Sequence, residues 1–173
     1  MAVRTILHYP DPRLREPGKK VANLSPELRQ LVDDMAETMY AAPGCGLAAT
    51  QVGAPWQIFV VDCAADGEPS DLRVFVNPEI LTTEGAVTSE EGCLSFPTAR
   101  EDVARAEKVR VRAQDQDGRW FELEAEGLLA IAIQHEYDHL QGVLMIDHLG
   151  PLKKRFLHRK MLRRGEAYAP GPG

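Results

Sequence analysis

The chain has 173 residues, 44% of them hydrophobic and 27% charged, which suits one globular domain with a real core, and its net charge of −6 argues against a DNA-binding surface. The opening MAVRTILHYPDPRL lacks an apolar signal core and no run is long enough to span a bilayer, so a cytoplasmic protein without a membrane role is expected. The three cysteines, Cys45, Cys63 and Cys93, are odd in number, widely spaced and without a CxxC, which argues against a disulfide framework.

The first clear element is a helix in LSPELRQLVDDMAETMYAAPGCG. Ser25 can cap it, Pro26 suits its first turn, and Leu28, Leu31, Val32, Met35 and Met39 make one apolar stripe for core packing. QIFVVDC (57–63) and LRVFVNPEIL (72–81) read as strands separated by the polar turn AADGEPSD. Cys63, ending the first of these, reads as a small buried residue. EKVRVRAQD and RWFELEAEG, joined at QDG, read as a hairpin.

Next comes IAIQHEYDHLQGVLMIDHLG (131–150). Residues four apart on a helix lie ~40° apart around the axis and ~6 Å apart along it, so His135 and His139 share a face and can share an ion. Glu136 is rotated off that line, where a carboxylate can take a proton from a metal-bound water. Leu128, Leu129, Ile131, Ile133 and Leu140 supply a nearly unbroken apolar run that stops at Gly142, as expected of a buried helix. Three ionisable groups on a buried helix need compensation for lost hydration, and a metal is the simplest.

Two imidazoles rarely suffice. In one group of zinc proteases the pattern continues through a glycine to a third histidine. Gly142 matches that glycine, but the ligand slot is Met145, a poor partner for a borderline ion. His148 comes three residues too late, so the third ligand is expected upstream. His8, His148 and His158 read as surface or structural histidines.

The chain closes with a basic helix, PLKKRFLHRKMLRR, and a Gly/Pro tail. This places one domain over 1–173, with the helix at about 151–165 and a flexible tail over 166–173. The order of elements implies α+β: antiparallel β-sheets packed around a central buried metal-binding HExxH helix, with a C-terminal helix. Two stretches remain. PGCGLAATQVG (43–53) is, taken alone, a helix stop and loop, or else a place where a ligand approaches bare backbone with Gln51 as an amide donor. SEEGCLSFP (89–97) sets Cys93 among polar and glycine residues, where its thiolate would suit a borderline metal.

Together GCGLAATQ (44–51), EGCLS (91–95) and HEYDH (135–139) match, in order and without a mismatch, the three signatures of the peptide deformylases, which the chain resembles over nearly its whole length. The resemblance implies the form with a C-terminal helix. It implies that Cys93, His135 and His139 hold one divalent metal ion, iron(II) natively, with zinc, nickel or cobalt able to substitute. Glu136 would act as general base and acid on a metal-bound water attacking the formyl carbonyl. Gln51 and the backbone N–H of Leu94 would stabilise the oxyanion, releasing formate from N-formyl-Met nascent peptides.

The peptide would add as a strand along Cys45, Gly46 and Gly92. Arg100 would flank it, and Leu128, Ile131 and Ala132 would line the methionine pocket. Ser89 and Ala132 stand where relatives often carry other residues. Seven Lys and Arg between 153 and 164 read as a solvated face or, by resemblance, a ribosome-docking surface. Two rivals stand beside this reading. An HExxH peptidase is disfavoured by Met145 and Gln51, and a closed structural-metal protein lacks an evident fourth ligand.

Overall fold

The computed structural model describes residues 2–167. Helix α1 (Pro26–Ala41) starts where the capping signal places it: Ser25 Oγ accepts from the Leu28 N–H at 3.2 Å. Leu31, Val32, Met35 and Met39 are buried, whereas Leu28 lies at the margin of the stripe.

A five-stranded antiparallel sheet runs in the order β1 (Gly46–Ala48), β2 (Ile58–Val61), β3 (Arg73–Glu84), β6 (Lys108–Gln114) and β7 (Trp120–Glu126). The β6–β7 hairpin turns at Asp115–Gly118 as its QDG predicts. Pro78 cannot donate to a ladder, and it sits where the β3–β6 register shifts between Val76 and Glu79. The sheet covers α1 on one face. On the other lies α2 (Gly127–Leu140), whose Ala130, Ile133 and Leu140 are fully buried against Phe59, Phe75 and Val111.

A second sheet is a two-stranded ribbon of β4 (Val87–Cys93) and β5 (Phe96–Arg105). Its pairing slips between Gly92 and Cys93, and that bulge re-aims the end of β4. Neither β1 nor this ribbon is marked by alternation in the sequence. The β4 segment is largely polar, and the burial of β5 recurs unevenly at Phe96, Ala99, Val103 and Arg105.

Helix α3 (Pro151–Ala167) runs two residues beyond its expected end, so Glu166 and Ala167 belong to it and not to a tail. The rest of the expected tail, 168–173, lies outside the described residues. Leu157 and Met161 anchor α3 against Leu7, Phe96 and Met145. Among the described residues no helix is long and apolar enough to cross a membrane.

Candidate metal centre

Helix α2 is pinned at its middle and at its C-terminal end. Gln134 accepts from the Ala106 N–H at 2.9 Å and donates to the Ala106 and Ala130 carbonyls at 2.9 and 3.0 Å. At the far end Thr50 and Gln57 donate to the His139 and Leu140 carbonyls, both at 3.2 Å. Gly142 ends the helix with φ +76°, and any side chain there would overlap the Arg15 backbone.

His135 and His139 project together from α2, their ring centroids 5.0 Å apart. The β4 bulge brings in Cys93, whose Sγ lies 3.4 Å from His139 Nε2. The ligand atoms of Cys93, His135 and His139 fall within 4.8 Å of one another, and they are the one such group of three among the described residues. One sulfur and two imidazole nitrogens suit zinc, iron(II), cobalt or nickel. Met145 is 2% exposed in the core beneath α3, apart from this group.

Behind these three side chains stands a buried polar chain. Glu91 Oε1 lies 2.9 Å from His135 Nδ1, so the donated Nδ1–H fixes the tautomer and leaves Nε2 for an ion. Arg105 grips Glu91 with Nε and Nη2, both at 2.9 Å, and reaches Asp138 with Nη1 at 2.5 Å. His148 Nε2 meets Asp138 at 2.8 Å, on the far side of this chain from the three side chains.

Burial would raise Glu91, but the Arg105 and His135 hydrogen bonds prevail and hold it down at about 2. Burial also opposes the charged form of His135, yet the negative charges of Glu136 and Cys93 hold it well above its usual range. His139, buried beside those cations, is driven well below its usual range and stays neutral, as a metal-holding imidazole must. Negative charge gathered around His135 and a neutral imidazole at His139 together suit a bound cation.

Glu136 is 4% exposed, and burial pushes it up to about 7. Its Oε1 has no hydrogen-bond partner among the described residues, and neither does His139 Nδ1. The opposite wall is Gly46, where a Cβ would overlap the Glu136 carboxylate and force it to shift. Gln51 is 1% exposed. Its Oε1 accepts from the Ala48 N–H at 2.9 Å, and its Nε2 lies 3.0 Å from Ser95 Oγ and 3.8 Å from Cys93 Sγ.

Leu94, next to Cys93, is half-buried against the α1 side of the sheet. Arg100 pairs with Glu90 at 2.7 Å and lies over Gly92, its partner across the ribbon. Ile131 is half-buried and Ala132 buried, but Leu128, expected within a buried run, is 57% exposed because the first turn of α2 emerges at the surface. Ser89 is half-buried on β4. Cys45 is exposed, near the group but outside it.

Sequence reasoning missed Glu91, Ser95, Arg105 and Asp138. Glu91 and Ser95 stand inside the EGCLS stretch and Asp138 inside HEYDH, so their positions were visible but their partners were not. Nothing in the sequence marks Arg105.

The chain is similar to known proteins over nearly its whole length. The family model described as polypeptide deformylase matches residues 3–155. The peptide deformylase of Alkalilimnicola ehrlichii is 52% identical over 99% of this chain and 97% of its own, and that of Acidobacterium capsulatum is 50% identical over 96% and 99%. A solved peptide deformylase from Legionella pneumophila superposes with a TM-score of 0.91 at 45% identity, covering 99% of this chain and all of its own. One from Ehrlichia chaffeensis in complex with actinonin superposes with a TM-score of 0.90 at 34% identity, covering 95% and 98%.

Proposed function

The chain belongs to the polypeptide deformylase family, metalloenzymes that remove the N-formyl group from nascent peptides, and we propose that here Glu136 is the general base and acid of that hydrolysis. The observation that carries the proposal is the convergence of Cys93, His135 and His139 beside the unpartnered Glu136 Oε1. Those three side chains would hold one divalent ion, iron(II) natively. When bound, such an ion acts as a Lewis acid and lowers the pKa of water.

The remaining work falls to the chain itself. Glu136, raised to about 7 by burial, accepts the proton of the attacking water and then delivers it to the departing amine. Gln51 Nε2, fixed by the Ala48 N–H on its oxygen, donates to the formyl oxygen as charge develops there. The Leu94 N–H is the second donor. Glu91, held by Arg105, keeps His135 in its ligating tautomer.

The formylmethionyl peptide lies as an added strand along Cys45, Gly46 and Gly92, with Arg100 at its flank. Its methionine enters between Leu128, Ile131 and Ala132. Crowding at the metal excludes N-acetyl substrates, because a soft pocket rejects one extra carbon by only ~1–3 kcal/mol. Actinonin, present in the solved complex of the Ehrlichia relative, would bind this chain as well.

The whole of 1–173 serves as one catalytic domain in the cytoplasm, where formylated chains emerge. The exposed basic residues of α3, among them Lys153, Lys154, Arg155, Arg159 and Lys160, dock on the ribosome. Truncating α3 would strip Leu157 and Met161 from the core, so charge reversal on its outer face is the cleaner test. Unchanged co-sedimentation with ribosomes would refute docking.

Formate release from a formyl-Met tripeptide by anaerobic, iron- or nickel-loaded protein tests the activity. Glu136→Gln with the same metal content should release none. Equal release by both proteins would remove Glu136 from the mechanism.

A further inference from the structure

The polar chain behind His135 does not end at Arg105. It continues to Asp138, whose Oδ2 takes Arg105 Nη1 at 2.5 Å and His148 Nε2 at 2.8 Å. A carboxylate only accepts, so both nitrogens donate, and they stand 3.5 Å apart on one oxygen. The order from the metal group outward is therefore His135, Glu91, Arg105, Asp138 and His148.

Exposure rises toward the outer end. The side chains of Arg105 and Glu91 are 4% and 6% exposed, those of Asp138 and His148 23% and 30%. An open recess of about 590 Å³, lined in part by Tyr137, Asp138 and His148, brings water to that end. Asp138 thus has an alternative that Glu91 lacks: without a second protein donor its carboxylate can turn into water. His148 is held firmly enough to prevent this. Its 3-10 turn, Met145–His148, is anchored by Met145 and Ile146 in the core beneath α3. The turn is closed by Asp147, which accepts from the Leu144 N–H at 2.8 Å and pairs with Arg15.

The guanidinium between the two carboxylates is a rigid plane. Its Nε and Nη2 edge grips Glu91 while Nη1 meets Asp138, so the place of Asp138 sets the angle at which Arg105 presents that edge. Glu91 passes the setting on, because its Oε1 lies 2.9 Å from His135 Nδ1.

We propose that His148 is a positioning residue of the metal centre, keeping Asp138 on Arg105 so that Glu91 holds His135 in its ligating orientation. It acts through Arg105 and Glu91 and is not itself a catalytic residue. The proposal rests on Cys93, His135 and His139 being the metal group, and not on which reaction is performed there.

The test is the rate at which nickel leaves the loaded protein in excess chelator, read beside the visible spectrum of the cobalt-substituted protein. His148→Ala should lose nickel about tenfold faster and shift the cobalt bands, with little change in thermal midpoint. His148→Gln, whose amide can still donate to Asp138, should restore both readouts. In Glu91→Gln the link to His135 is already altered, so adding His148→Ala should change the rate by less than about twofold. Should the alanine variant fold poorly, His148→Leu fills the space without a donor and is expected to show the same faster loss. Nickel loss at the wild-type rate in the donor-free variants would overturn the proposal. So would a further tenfold acceleration in the Glu91→Gln background, which would mark a general loosening of the fold. The expected pattern in a chain whose wild type releases no formate would sink the functional reading and leave the positioning role standing.

Discussion

Glu91 Oε1 sits 2.9 Å from His135 Nδ1, and the same carboxylate is held by both arms of Arg105. Arg105 and Glu91 are 7% and 6% exposed, so each is the other's main compensation for lost hydration. Arg105→Met should destabilise the fold by about 3–5 kcal/mol, since it leaves buried carboxylate charge unpaired. Glu91→Gln should be milder for the fold but lower metal affinity by roughly 10–100-fold. Chemical denaturation and chelator competition separate the two, and unchanged metal affinity in Glu91→Gln would show that the carboxylate does not orient His135.

Gly46 packs directly on the base. Gly46→Ala should leave the thermal midpoint nearly unchanged but reduce kcat by about 10²-fold, because the methyl group displaces the Glu136 carboxylate. A variant with full kcat would mean that Glu136 tolerates displacement and is not the positioned base.

Gln51 is held at both ends, by the Ala48 N–H on its oxygen and by Ser95 beside its nitrogen. Gln51→Ala should reduce kcat by about 10²–10³-fold with metal content intact. Ser95→Ala should produce a smaller loss, since it frees the amide without removing it. Equal losses would mean that Gln51 donates only when Ser95 holds it, and an unimpaired Gln51→Ala would remove Gln51 from the donor role.

Asp34 on α1 gathers the Ala2 N–H at 2.9 Å, Arg4 Nε at 2.9 Å and Gln30 Nε2 at 2.8 Å. The Gln30 hydrogen bond, then those of Ala2 and Arg4, outweigh burial and hold the carboxyl below its ordinary 3.8. A depressed acid binds its proton more weakly in the folded state, so its stabilisation is full above 3.8 and lost as pH falls through the folded value. The gap in thermal midpoint between wild type and Asp34→Asn should be widest near neutrality and shrink below pH ~4. A constant gap across that range would place the effect of the substitution elsewhere.

Local chemistry accounts for most of what was legible in the chain. The Ser25 cap, the α1 stripe, the β6–β7 turn and the i, i+4 spacing of His135 and His139 each depend on a few neighbouring residues, and each stands as read. The exposed start of α2 at Leu128 departs from the apolar run, because how far a helix enters the core depends on what covers its first turn. The β4–β5 ribbon went unread because its strands carry polar and charged residues on both faces.

The sequence alone determined the helix, the histidine pair and, through three ordered motifs, the family. Tertiary structure decided what surrounds the histidines: Cys93 arrives from 46 residues before His139 on a bulged strand, and Arg105 joins Glu91 to Asp138 across 14 and 33 residues. Such contacts have no period and no fixed spacing. They exist because the sheet, the ribbon and α2 bury one another, and only that burial makes a carboxylate need an arginine and three donors need a metal.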